Sequence, residues 1–146
     1  MKKSALAALA VLMLTGSFAM AQNNGKQIII ENPQARVRIT ATLADNACAH
    51  SLYAQLPVTA GISDYAATEK ILYLPKKLNV AGAPPRYAAQ KGDLTYYAPW
   101  GNLAMFYTGE GKGGGDAGLV YLGQIGEGLE QLAGLGDITV TIRAAD

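Results

Sequence analysis

The chain has 146 residues, a formal net charge of +1, half of its residues hydrophobic and only 16% charged. With its basic residues scattered rather than clustered, that balance argues against a nucleic-acid partner and gives no footprint for an anionic membrane surface. A single cysteine, Cys48, excludes an internal disulfide, so stability has to come from packing.

Residues 1–21 read as an export signal. Lys2 and Lys3 make a short positive start, residues 5–14 an apolar stretch, and Ala19-Met20-Ala21 the small-residue cleavage pattern. The apolar stretch is too short for a permanent membrane anchor. The expectation is therefore an exported chain, periplasmic or secreted, with one domain over residues 22–146. A chain of that size can bury a self-sufficient core.

Residues 26–31 form a β-branched run, and Asn32-Pro33 signals a turn. Residues 36–43 then alternate: Val37, Ile39, Ala41 and Leu43 point one way, Arg36, Arg38, Thr40 and Thr42 the other. That is the period of a strand with one dry face, and the two segments read as a hairpin. Asp45 or Asn46 is placed to cap a helix over residues 47–56, with Ala49, Leu52, Tyr53 and Leu56 on one face and Pro57 ending it. This helix should lie over one opening of a sheet.

Two short strands follow at 58–62 and 70–74, joined by a polar turn at 63–68. Residues 79–90, with Gly82 and Pro84-Pro85, read as a loop. Residues 92–98 and 103–108 form an aromatic hairpin around Pro99-Trp100-Gly101-Asn102. After a glycine-rich break come a strand at 118–125, a short helix at 127–132, and an alternating strand at 137–143. Seven or eight short strands with two small helices predict a mainly β fold, a closed or nearly closed barrel.

The chemistry-bearing residues are sparse. The run at 109–118 matches G-x-G-x-x-G in two registers, at Gly109, Gly111 and Gly114 and again at Gly113, Gly115 and Gly118, which is what glycine-rich composition produces. It leads into the strand-like Leu119-Val120-Tyr121-Leu122 rather than a helix, and Lys112 has no Ser or Thr after it, so neither a dinucleotide nor a phosphate loop is expected. His50, the only histidine, lies two residues from Cys48 on the predicted helix. Positions i and i+2 point apart, so the pair makes neither a metal site nor a nucleophile–base pair. His50 reads as an exposed helix residue and Cys48 as a small buried one. No metal and no cofactor are expected.

What concentrates is aromatic: Tyr96, Tyr97, Trp100, Phe106 and Tyr107 in one hairpin, with Tyr73 on an earlier strand. Alternation sends Tyr96 and Tyr97 to opposite faces, so at least one reaches a surface or a barrel mouth. Trp100, at a turn, is either folded back as a lid on the core or offered to a ligand. The candidate ligand-binding residues are Tyr73, Tyr96, Trp100 and Asn102.

At this hairpin the chain resembles the bacterial cyclophilin-like family, small barrels with the cyclophilin fold but without the isomerase sequence. The carriers are Thr-Ala-Thr-Leu-Ala-Asp-Asn at 40–46 leading to Leu56-Pro57, Lys70-Ile71-Leu72-Tyr73-Leu74-Pro75, and Gly92-Asp93-Leu94 with the aromatic hairpin. Leu122-Gly123-Gln124-Ile125 and the closing stretch at 138–142 complete them. The resemblance implies a cyclophilin-like closed β-barrel of about eight strands with two short helices. True cyclophilins polarise the prolyl bond with an arginine in a Phe-His-Arg stretch. Here Arg36, Arg38, Arg86 and Arg143 stand outside any such motif, so the catalytic arginine has no counterpart. The resemblance implies a small ligand- or peptide-binding barrel of unassigned activity; with the export signal and the aromatic hairpin, the expectation is an exported domain that binds a peptide or a small apolar ligand at an aromatic groove. The alternatives are weak prolyl isomerisation and an accessory role with a redox partner protein, since relatives are sometimes linked to flavodoxin-like proteins.

Overall fold

A computed structural model of the protein describes residues 25–109 and 114–146; the expected export signal and part of the 109–118 glycine run lie outside the described residues. Strands β1 (Gln27–Asn32) and β2 (Val37–Leu43) form the expected hairpin, in a register that pairs Ile30 with Ile39. β2 keeps its alternation, with Val37, Ile39, Ala41 and Leu43 buried. Helix α1 (Ala47–Ala54) follows, then β3 (Val58–Tyr65), β4 (Glu69–Tyr73), β5 (Arg86–Tyr87), β6 (Asp93–Tyr97), β7 (Asn102–Phe106), β8 (Asp116–Ala117) and β9 (Leu119–Ile125). A 3₁₀ helix (Leu129–Gly134) and β10 (Ile138–Ala144) complete the chain.

Eight of these strands close into an antiparallel barrel in the order β1-β10-β3-β4-β7-β6-β9-β2, with β2 returning to β1. The mainly β barrel with two short helices expected from the sequence is what forms. Its interior is filled by Ile28, Ile30, Ile39, Ile62, Leu72, Leu94, Tyr96, Leu103, Met105 and Ile142, each 1% exposed or less. Burying an aliphatic side chain of this size stabilises by about 1.5–3 kcal/mol.

Both openings are covered. α1 leads through Pro57 into the start of β3, and its Cys48, Ala49 and Leu52 join the barrel core. Asn46 caps it by accepting from the Ala49 N–H at 2.8 Å while its own amide donates to the Tyr121 carbonyl at 2.9 Å. Cys48 is the buried residue expected, with its thiol pushed up to about 12 by desolvation. His50 is on the wet face, 2.7 Å from Asp45. At the far end of β3, the 3₁₀ helix inserts Leu132 into the core.

That far end also holds a buried ammonium. Lys70, 3% exposed, donates to the Leu135 carbonyl at 2.7 Å and lies 3.1 Å from Asp64. The Tyr107 hydroxyl donates to the same carboxylate. These contacts, the tyrosyl hydrogen bond foremost and then Lys70 and the Ala67 N–H, outweigh desolvation and hold the Asp64 carboxyl below its ordinary value. The same bond pushes the Tyr107 hydroxyl up to about 12. A carboxylate whose pKa is lowered by folding stabilises the fold above its unfolded value, and that contribution is lost as pH falls through the folded one. The Asp64→Asn variant should therefore melt lower than wild type at pH 7, and the gap should narrow as pH drops below about 4. Thermal melts at pH 7, 4 and 3 check this; parallel curves would count against the cluster.

The elements depart most from expectation in a strand end, a ribbon and a helix. β3 runs on to Tyr65 because the reversal is tight: Ala66 and Ala67 take φ of 55° and 53°, and Asp64 accepts from the Ala67 N–H at 3.0 Å. Residues 79–90 are not wholly loop, since Arg86 and Tyr87 pair with Ala117 and Asp116 to make a two-stranded ribbon, β5–β8. The helix expected at 127–132 is a 3₁₀ helix two residues further on.

Candidate functional site

Strands β4, β7, β6 and β9 form a wall that is buried on both sides. β7 is buried at all five positions and β6 at four of five. The inward residues Leu72, Leu103, Met105, Leu94 and Tyr96 belong to the barrel core. The outward Ile71, Ala104, Phe106 and Leu119 form a second, smaller cluster, onto which Tyr87, Ala89 and Tyr97 pack. The apolar outer face has to be covered, and the β5–β8 ribbon covers it. The ribbon is pinned by Asp93, whose Oδ2 accepts from the Tyr87 hydroxyl at 2.7 Å and the Gln90 N–H at 2.8 Å. Desolvation, and then that carboxylate, push the Tyr87 hydroxyl well above its ordinary value.

Between wall and ribbon is a cavity of about 380 Å³. Ile71, Phe106, Tyr97, Leu119 and Asn102 line it from the wall, and Ala88, Ala89, Asp116 and Ala117 from the ribbon side. Tyr65, Ala66, Thr68 and Glu69 of the β3–β4 turn, together with Trp100, line the rest of it, and it opens to solvent. The volume lies within the range of small-ligand sites, and the lining mixes apolar walls with polar groups in nearly equal measure. A second cavity, of about 380 Å³, lies against Gly25, Lys26 and Tyr53. A third, of about 300 Å³, lies behind the ribbon against Cys48 and Tyr87.

The four sequence candidates fall in different places. Across the wall the outer-face register runs Tyr73, Asn102, Tyr97, Leu119. Trp100 and Asn102 both line the cavity. Trp100 is 52% exposed at the β6–β7 turn, and its ring stands nearly perpendicular to Tyr97 (5.4 Å, 78°) and to Tyr65 (5.8 Å, 82°). Of the two readings for Trp100, it is not folded into the core.

Asn102 is 2% exposed; its amide donates to the Leu103 carbonyl at 3.1 Å, and its Oδ1 is buried without a hydrogen-bond partner. Tyr73 flanks Asn102 but is 54% exposed and lies outside the cavity lining. Tyr96 points the other way, into the barrel, where its hydroxyl accepts from the Leu78 N–H at 3.2 Å. The parity expected for Tyr96 and Tyr97 holds, with Tyr97 as the outward member.

Tyr65, Ile71, Tyr97 and Phe106 were not among the candidates. A signal for them is present in the sequence. Lys-Ile-Leu-Tyr in β4 and Leu-Ala-Met-Phe in β7 do not alternate, and a strand apolar on both faces needs a second layer over its outside.

The comparisons with known proteins agree with this architecture. No curated protein matches the chain. Among solved structures, the solution structure of the hypothetical protein AF2241 from Archaeoglobus fulgidus is similar, with a TM-score of 0.57 at 12% identity, covering 83% of this chain and 95% of that one. At that identity the likeness is one of fold. The cyclophilin-like family matches over residues 34–143, three-quarters of the chain and the whole of the wall and its cover. By that match the chain belongs to the cyclophilin-like family.

Proposed function

We propose that the protein is an exported binding module that holds a small, largely apolar guest, free or carried on a peptide, in the cavity beside Trp100. The observation that carries this reading is the cavity itself, about 380 Å³ and walled by Ile71, Phe106, Tyr97 and Trp100. Aromatic walls supply contact area, and Asn102 places a buried polar side chain in the wall behind them. The export component rests on Lys2, Lys3, the apolar stretch after them and Ala19-Met20-Ala21. Binding is favoured over prolyl isomerisation because Arg36, Arg38, Arg86 and Arg143 all lie off the cavity lining.

Trp100 is the only tryptophan, so intrinsic fluorescence reads the site directly. Titration with apolar alcohols, amines and short peptides should shift its emission to the blue as a guest displaces water from the half-exposed ring. The Ala104→Phe variant, which enlarges the floor beside the cavity, should weaken that response by about tenfold, as expected when a guest loses roughly 1.4 kcal/mol of contact. Emission that stays fixed across the whole panel would overturn the reading.

A further inference from the structure

The third cavity, of about 300 Å³, has a chemistry of its own. Of its lining residues only Leu119 is shared with the cavity beside Trp100. Three walls meet there: the first turn of α1, the 81–84 loop, and the Leu119-Val120-Tyr121 segment of β9, with Tyr87 of the ribbon beside them. These walls are tied to one another. Asn46 joins α1 to β9 by donating to the Tyr121 carbonyl at 2.9 Å. The Ser51 hydroxyl of α1 accepts from the Asn79 N–H at 2.9 Å, which anchors the chain just before the loop. Just after it, the Pro85 carbonyl accepts from the Gly118 N–H at 3.0 Å. Much of what helix and loop present to the cavity is small: Ala47, Ala81, Gly82 and Ala83. Tied walls with small side chains hold the space open, so a guest can enter without rearranging the fold.

The lining also rules on charge. Among the described residues that line this cavity none is an acid, a lysine, an arginine or a histidine. The charged side chains adjoining the lining are already engaged. Arg86 donates to the Gly115 carbonyl at 3.2 Å, and Asp45 lies 2.7 Å from His50. Asp93, 4% exposed, accepts from the Tyr87 hydroxyl and the Gln90 N–H. Asn46 is equally committed, its oxygen to the Ala49 N–H and its amide to the Tyr121 carbonyl. The Cys48 thiol and the Tyr121 hydroxyl stay neutral at pH 7, both held above their ordinary values by burial. Water finds few side-chain partners in such a space, and an ion would find no opposite charge to offset its desolvation.

We propose that this cavity is a second binding site, one that takes a small uncharged apolar group, either a free molecule or the side chain of a peptide. An apolar cavity of about 150 Å³ is enough to hold benzene, so a single ring fits with room to spare. The site is independent of the one beside Trp100, and its selectivity comes from the absence of charge in its walls.

The test is methyl NMR of the full chain, labelled at the alanine methyl carbons and titrated at pH 7 with toluene, benzylammonium and benzoate, which share one ring. Alanines report both sites: Ala47, Ala81 and Ala83 line this cavity, whereas Ala66, Ala88, Ala89 and Ala117 line the one beside Trp100. Toluene should shift the first group. Benzylammonium and benzoate should act there at least about tenfold more weakly, since an unpaired ion is costly to bury. Ala83→Leu, which fills the space, should weaken the toluene response of Ala47 and Ala81 by about tenfold. Ala81→Leu, at an exposed position, serves if the Ala83 variant fails to fold. N-acetyl-phenylalanine amide identifies the source: tighter binding than toluene at these methyls assigns the site to a peptide side chain, weaker binding to a free molecule. Shifts confined to the alanines beside Trp100 would overturn the second site while leaving the binding module standing. Charged compounds acting at Ala47, Ala81 and Ala83 as strongly as toluene would overturn its preference for neutral guests. No shift at any alanine with any compound would overturn the proposal outright.

Discussion

Tyr96→Ala should lower the free energy of unfolding by about 4 kcal/mol, the range for deleting a fully buried aromatic ring. The ring is 1% exposed in the middle of the barrel core, among Leu72, Leu94, Leu103 and Met105. Its hydroxyl also accepts from the Leu78 N–H, which would be left buried without a partner. The two effects can be separated. Tyr96→Phe keeps the ring and removes only the acceptor, so it should cost about 1–2 kcal/mol. Urea unfolding followed by Trp100 emission measures both, since a chain of this size is expected to unfold in a single transition. A Tyr96→Ala loss below about 1 kcal/mol would show that the ring is not packed as described. Because Tyr96 faces away from the cavity, Tyr96→Phe should leave guest affinity unchanged. That result would assign this tyrosine to the fold and not to the ligand.

Gly123→Ala is expected to be nearly as damaging for a methyl group. Gly123 pairs with Leu43 across the β2–β9 seam and with Leu94 on the other side. A Cβ there would lie 2.2 Å from the Thr42 carbonyl oxygen and 2.9 Å from the Leu43 Cα, both backbone atoms that no side-chain rotation can move. The seam has only three paired positions, from Ala41 opposite Ile125 to Leu43 opposite Gly123, so it has little to hold it against the push. Overpacking of this kind costs about 3 kcal/mol. Amide exchange should show the consequence locally: the Ala44 N–H, bonded to the Leu122 carbonyl at 2.7 Å, should lose protection before the amides of β1 and β10 do. A variant within about 1 kcal/mol of wild type, with that amide still protected, would mean the seam relaxes freely.

These two positions also mark where sequence reading works and where it stops. β2 and β10 were legible because each has one wet face, and a two-residue period survives in their side chains. The helix over residues 47–56 was legible from its cap and its apolar spacing, although it ends at Ala54, two residues early. β6 and β7 obscured the site because a strand buried on both faces shows no period. Composition alone could not say which of Tyr96 and Tyr97 faces the core.

The β5–β8 ribbon was out of reach for another reason. Two residues carry no periodic signal, and the pairing of Arg86 with Ala117 joins segments far apart in the chain. Trp100 could be read as a site residue from its turn. Asn102 could be named from its neighbours, but its orphaned oxygen is a property of depth, and depth belongs to the folded wall.

The doubly buried wall has a thermodynamic corollary. The strands that floor the cavity are the ones that enclose the barrel core, so the unfolded chain has no cavity and a guest can bind only to the native state. Occupancy is then linked to folding: a guest present at a hundred times its dissociation constant would add about 2.7 kcal/mol to stability. Melting temperature thus becomes an assay that requires no knowledge of the guest. A library of small compounds could be ranked by the heat each lets the barrel survive, and the guest the cavity fits would announce itself as a thermal shift.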